Sequence, residues 1–353
     1  LNTKTSLVDK LILWISAIGL ALSTAAAPSV QSNLSPKRRP TTTTTTSTTS
    51  STTTTTSTTT TTTTVVPTVA PMGMSGSWTT IFKDEFDGPI DSAKWNVANN
   101  SSYGSSNNEI QCYMSGNVTT SGGFLNIVGK PGVGGCAGKT YTSGWIATGT
   151  KATGGTEKFS FTQGFVEMRA KAPVGNIFWP ALWLQGWNAG PSWPAYGEFD
   201  VTELYPACQN MTTGTLHYAS NGHIQTSPDV YNIATSTANS KGTCSSSLGP
   251  INSTYNTYGF HWQSNRLTWY INGKVMFYFD GTNNTMNWIE GGVAKSRSFP
   301  APSTNFFTNP HTISINMAMG GSGPSYYGWS PTNTIGSDTG TYSVDYVRVY
   351  RQI

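Results

Sequence analysis

Charge is scarce in this sequence, cysteine is scarcer, and no long stretch after the N-terminal region repeats with a helical period. Of 353 residues only 10% are Asp, Glu, Lys or Arg, and the 20 basic residues are scattered apart from Lys37-Arg38-Arg39. A net charge of +4 without a basic stripe gives no electrostatic footprint for a nucleic acid, so no such partner is expected. The four cysteines (Cys112, Cys136, Cys208, Cys244) lack the C-x-x-C spacing of a zinc site. Four histidines (His217, His223, His261, His311) come without a G-x-S-x-G elbow, which argues against a nucleophilic triad. There is neither a dinucleotide-binding fingerprint nor a phosphate-binding loop.

What is present begins with Lys4 and Lys10 ahead of the apolar run "LILWISAIGLALSTAAA", which ends in small residues suited to cleavage. It reads as a signal peptide or an uncleaved signal anchor over 1–27; only the anchor would bring a membrane into play. Thr41 to Thr64 is Thr and Ser throughout, which buries nothing and cannot repay the entropy of ordering. A disordered, O-glycosylated stalk is expected over 28–73 and a catalytic domain over 74–353. Sequons at Asn99, Asn100, Asn117, Asn210, Asn252 and Asn283 fit a secreted glycoprotein, extracellular or cell-wall associated. In an oxidising compartment the cysteines suit two disulfides. Proximity favours Cys112–Cys136 and Cys208–Cys244, with the other pairings open.

From about Gly73 onward, β-branched and aromatic runs such as "GFLNIVG", "GFVEMRAKA" and "HTISINMAMGG" alternate with Gly, Asn, Ser and Pro clusters. Asn272-Gly273 between "RLTWYI" and "KVMFYF" is a strong hairpin signal. Regular strands without βαβ alternation predict an all-β fold, an antiparallel β-sandwich of jelly-roll, concanavalin-like type. One sheet of such a sandwich can carry a concave cleft. The chain has 12 tryptophans, and aromatic rings there would pack on the apolar faces of sugar rings.

The segment "YGEFDVTELYPA" concentrates three acids, Glu198, Asp200 and Glu203. In a regular strand Glu198 and Asp200 share one face, whereas Glu203 has the wrong parity and would enter the apolar layer. One extra residue, a β-bulge near Val201 or Thr202, returns Glu203 to the groove. Two inward-leaning glutamates could then bring their carboxyl groups to about 5–5.5 Å, the spacing of retaining glycosidases. Asp200 between them can hydrogen-bond one glutamate, and crowding of like charge favours keeping one carboxyl protonated. A calcium cage and a solvated acidic face are the alternatives to be weighed. The order of the two glutamates stays open on these grounds.

"GEFDVTE" resembles the E-x-D-x-x-E signature of glycoside hydrolase family sixteen, in the bulged form of laminarinase-like endo-β-1,3-glucanases. "FKDEFDG" (82–88), "NNEIQCY" (107–113), "YTSGWIATG" (141–149), "GFVEMRAKAPVGNIFWPALWLQ" (164–185), "WPAYGEFD" (193–200), "TLHY" (215–218), "FHW" (260–262) and "VDYVRVYR" (344–351) follow in that family's order. The resemblance implies a retaining endo-β-glucanase acting on β-1,3-glucan of laminarin type, mixed-linkage β-1,3-1,4-glucan, or both. It makes Glu198 the nucleophile, Glu203 the acid/base and Asp200 the residue that tunes Glu198. It places Trp179, Trp193, His217 and Asn108 on the substrate, and the aromatic loop 320–331, with Trp329, is placed to cap one end of the cleft. No cofactor is needed for catalysis, although many relatives carry a structural calcium; the matching positions are Glu85, the Gly123 carbonyl and Asp345. The partner implied is a β-glucan polysaccharide, and a monomer is expected. Trp145 and Phe165 stand where many relatives have a basic residue; the exchange of cationic donors for aromatic surface would alter subsite preference, or else Phe165 simply packs. The competing functions are a cell-wall transglycosylase, a galactan hydrolase and a non-catalytic glucan-recognition protein.

Overall fold

The computed structural model describes residues 69–149, 154–186, 192–206, 211–221, 223–232, 237–239, 254–290, 292–326 and 338–353. The leader, the whole Thr/Ser stretch, Cys208, Cys244, Trp329 and the sequons at Asn210 and Asn252 lie outside the described residues. The strands in chain order are β1 (Trp78–Asp84), β2 (Asn96–Val97), β3 (Gln111–Tyr113), β4 (Val118–Ser121), β5 (Phe124–Pro131), β6 (Tyr141–Ser143), β7 (Trp145–Ala147), β8 (Gly164–Lys171), β9 (Phe178–Gln185) and β10 (Glu198–Leu204). They continue with β11 (Met211–Ser220), β12 (His223–Asn232), β13 (Thr237–Asn239), β14 (Asn256–Trp262), β15 (Arg266–Ile271), β16 (Lys274–Asp280), β17 (Thr285–Glu290), β18 (Val293–Ser298), β19 (Thr312–Met319) and β20 (Gly340–Gln352).

Two sheets result. Eight strands run in the order β13-β12-β11-β10-β9-β19-β7-β2. Twelve make the other sheet, in the order β18-β17-β16-β15-β14-β8-β20-β5-β6-β3, with β1 on β20 and β4 on β5. Only β3 and β6 pair in parallel among the described strands. Asn272 and Gly273 both take positive φ (49° and 76°) and join β15 to β16, the backbone that a tight two-residue hairpin requires.

The period of two decides which side chains meet. Leu182, Leu184, Phe199, Val201, Leu216, Ile313 and Ile315 point inward from the eight-stranded sheet. They share one core with Val166, Met168, Phe260, Val347 and Val349 from the other sheet. Each such side chain, fully buried, contributes about 1.5–3 kcal/mol relative to exposure. The alternate residues of the eight-stranded sheet are left for its outer face, where the acids stand.

The outer face of the twelve-stranded sheet is covered differently. Trp78, Phe165 and Tyr350 form a separate buried cluster against which Ala70, Met74 and Tyr270 pack. The segment ahead of β1 is tied there by the Met72 N–H, which donates to Glu167 Oε2 at 2.7 Å, while the Tyr346 hydroxyl donates to Oε1 at 2.9 Å. Phe165 is therefore a packing residue on the face opposite the acids and takes no part in the cleft. Asn117 is also buried, its amide donating to Val128 O at 2.6 Å and to Thr142 Oγ1 at 3.1 Å, so as folded this sequon has no free amide.

Candidate active site

The kink expected in the acidic strand is present. Against β11, Asp200 lies opposite Thr215 and Glu203 opposite Thr213, three steps on β10 against two on its partner. Against β9 the register slips between Asp200 and Thr202. Val201 remains in the core, the buried Thr202 hydroxyl bonds that of Thr212 at 2.5 Å, and Glu203 regains the outer face. A bulge frees backbone groups, and here Trp269 of the opposing sheet donates its indole N–H through the core to Asp200 O at 2.8 Å. Gly214 makes room for that ring, since a Cβ at 214 would lie 2.4 Å from Trp269 Cδ1.

Glu198, Asp200 and Glu203 all line a cleft of about 320 Å³, together with Trp179, Trp193 and His217. Each carboxylate has its own partners. Glu198 Oε2 accepts from the Trp193 indole at 3.1 Å and from the Gln185 amide at 3.2 Å. Glu203 Oε1 accepts from Trp179 Nε1 at 2.9 Å and the Tyr205 hydroxyl at 3.1 Å; its Oε2 accepts from Thr213 and Thr215, both at 3.1 Å. Hydroxyls donate or accept by rotating, so three of these four partners suit a carboxyl in either protonation state.

Asp200 is buried and its Oδ2 lies 3.1 Å from His217 Nε2. Burial pushes the Asp200 carboxyl above the usual range, against the His217 hydrogen bond, and the charge of Glu203 adds to the rise. Burial opposes the His217 imidazolium, but the hydrogen bond and charge of Asp200 outweigh it and raise the imidazole to about 9. Ligand atoms of Glu198, Asp200 and His217 lie within 4.8 Å of one another. A calcium cage needs six or more oxygens, whereas this cluster offers an imidazole nitrogen and carboxylates already hydrogen-bonded.

Trp193 is 41% exposed at the cleft, available to a sugar face, while Trp179 is half-buried beside Glu203. Asn108 is different: it adopts a left-handed conformation (φ 60°) at the end of a short 3-10 turn and is exposed, and its neighbours Asn107 and Glu109 line the cleft instead. Of the expected capping loop, residues 320–326 are described, and Ser322, at the start of a short helix α1 (Ser322–Tyr326), lines the cleft. Trp145 is buried in the floor, packed against Trp183 and under Tyr103 at 4.8 Å between ring centres, so it offers no surface to a substrate.

Of the three positions expected to hold calcium, the two carboxylates are already paired with arginines. Glu85 is held by both Arg348 Nε (2.8 Å) and Nη2 (2.7 Å), and Asp345 by Arg169 Nη1 at 2.5 Å. Each carboxylate has a guanidinium for counterion, which a cation would have to displace. Gly123 sits in the tight turn between β4 and β5 with φ 78°.

Several further residues line the cleft or bond to its acids. Thr213 and Thr215 are reached by counting back in twos from His217, and Gln185 by counting forward in twos from Trp179, so periodicity alone would have placed them on the groove face. Glu109 stands in the same motif as Asn108. Its buried carboxylate accepts from Gln111 at 2.6 Å and Asn107 at 3.2 Å, and burial raises its pKa. Tyr103 and Tyr205 had no signal of their own, being loop residues.

Comparison with known proteins agrees with this geometry. The model of the glycosyl hydrolases family 16 matches residues 42–292. A glucan endo-1,3-beta-glucosidase of Cryptopygus antarcticus is 28% identical over 77% of this chain and 92% of its own length. Glucan endo-1,3-beta-glucosidase A1 of Niallia circulans is 28% identical over 81% of this chain, which spans only 39% of that longer protein. The catalytic domain of an endo-1,3-beta-glucanase (laminarinase) from Thermotoga petrophila superposes with a TM-score of 0.59 over 79% of this chain and 99% of its own, at 24% identity, a likeness of fold. With a two-sheet sandwich, a bulged E-x-D-x-x-E strand facing a cleft and a family match over most of its length, this chain belongs to glycosyl hydrolase family 16.

Proposed function

We propose that this glycoside hydrolase is an exported, retaining endo-β-glucanase that cuts β-1,3-glucan, mixed-linkage β-1,3-1,4-glucan, or both, inside the chain. The observation that carries the reading is the bulge between Asp200 and Glu203, which puts three carboxylates on one face with separate hydrogen-bond partners. The names of the relatives supply the substrate class.

In this reading Glu198 attacks the anomeric carbon as the bond to the leaving oxygen breaks, and Glu203 gives that oxygen its proton. The product is a glycosyl ester on Glu198. Water, deprotonated by Glu203, then attacks the same carbon; the ester bond breaks, Glu198 returns as carboxylate, and the two inversions restore the configuration. Asp200, with its His217 partner, orders the negative charge between the two glutamates. Trp193 and Trp179 offer ring surface to the sugars.

The test uses laminarin and mixed-linkage glucan, following reducing ends, product sizes and anomeric configuration. Glu198→Gln is expected to lower kcat by about 10³-fold or more with folding unchanged. Undiminished turnover by that variant, or inverted products, would overturn the assignment.

A further inference from the structure

The mechanism leaves unused a buried polar side chain next to the nucleophile. Gln185 is the last residue of β9, 2% exposed, directly opposite Glu198 on β10 and Thr312 on β19. Its amide nitrogen donates to Glu198 Oε2 at 3.2 Å and to the Tyr196 hydroxyl at 3.0 Å, and its side chain is also hydrogen-bonded to the Tyr103 hydroxyl. A neutral amide this deeply buried is tolerated when its polar atoms are satisfied, and here the partners that satisfy it are the nucleophile and two phenols.

The neighbours explain why an amide suits the position. Groups that titrate and act on Glu198 are Tyr103 and Tyr196 on one side and His217 on the other, with Asp200 two residues along the strand. The phenols have their pKa values raised by burial, with the charge of Glu198 adding to the rise, so both stay neutral at working pH. Tyr103 packs on Trp145 and is stacked on Trp183 with ring centres 6.4 Å apart, which fixes the phenol against the cleft floor. Gln185 thus ties Glu198 to a rigid aromatic floor on the side away from His217. It does so without bringing a cation that would blunt attack by the carboxylate.

Resting on the reading of Glu198 as nucleophile, the geometry points to Gln185 as its positioning residue: the amide aims Oε2 and, with Trp193, favours the ionised form. Gln185 touches no substrate in this scheme and acts only through Glu198.

The test is a pH profile of laminarin hydrolysis for the wild type, Gln185→Met, Gln185→Glu and Glu198→Gln, with thermal unfolding of each. Gln185→Met keeps the length of the side chain and removes the donor. It should lower kcat by about tenfold to a hundredfold, the worth of one hydrogen bond to a charged group. KM should move by less than about threefold. The acid limb of kcat/KM should rise by about one pH unit as the carboxylate loses a donor. Gln185→Glu keeps the shape, guards against a packing defect, and should move the acid limb further up through like charge. A lowered unfolding temperature with an unmoved acid limb in both variants would overturn the positioning role and leave Gln185 a packing residue. If Glu198→Gln keeps its turnover, the nucleophile reading fails instead, and this inference fails with it; a dead Glu198→Gln beside unmoved Gln185 profiles refutes the positioning role alone.

Discussion

Asp200 and His217 are two cleft residues whose protonation the fold has changed. His217 stands on β11 opposite Glu198, and its Nε2 meets Asp200 Oδ2 at 3.1 Å with little solvent to share the charge. Its imidazole is raised from 6.5 to about 9 in the folded chain, so the native state holds this proton more tightly than the unfolded state. The resulting stabilisation is present in full below pH 6.5 and is lost as pH climbs through 9. The urea midpoint is therefore expected to fall between these limits, and His217→Gln should flatten that part of the curve. An unchanged slope in the variant would show that other groups carry the dependence.

On the scale of one element, the kinked strand β10 depends on a ring from the opposite sheet. The indole of Trp269 caps Asp200 O at 2.8 Å, and Gly214 on β11 leaves the space it occupies. Trp269→Phe keeps most of the apolar area and loses the donor, leaving a buried carbonyl short of a partner at a cost of about 1–3 kcal/mol. Gly214→Ala would press a methyl into the indole and cost about 1–3 kcal/mol through overpacking. Both variants should lose stability, and Trp269→Phe should also lower kcat because Glu203 depends on the bulge for its direction. Equal kcat in Trp269→Phe and wild type would mean that the bulge holds without its cap.

For the whole molecule, the two outer faces have separate tasks. The cleft is lined by residues from Tyr103 to Ser322 along the chain, and among the described residues none comes from 69–77, the segment ahead of β1. That segment instead covers Trp78, Phe165 and Tyr350 on the other face, with Met72 bonded to Glu167. Removal of residues 1–68 is expected to leave kcat/KM on laminarin unchanged. Extending the deletion through Ser77 should uncover the aromatic cluster, lower the unfolding temperature and promote aggregation. A catalytic loss from the shorter deletion would show that the N-terminal region takes part in substrate binding.

Much of this protein could be read from local pattern. The alternation of apolar and polar residues is enforced by the pleat, so it announced a two-sheet sandwich, and Asn272-Gly273 announced its own hairpin. The wrong parity of Glu203 announced the bulge, because a carboxylate driven into an apolar layer costs more than one extra residue in a strand. The disulfide between Cys112 and Cys136 followed from proximity in the chain. Other features depend on which distant segments meet, and no local period encodes that. Only the packed sheets showed that Phe165 faces away from the cleft, and that Glu85 and Asp345 each answer an arginine. Only the meeting of β9, β10 and a loop from residue 103 brought an amide and two phenols to Glu198. Side-chain parity is a property of one strand, whereas the partners of a buried polar atom are set by the whole fold.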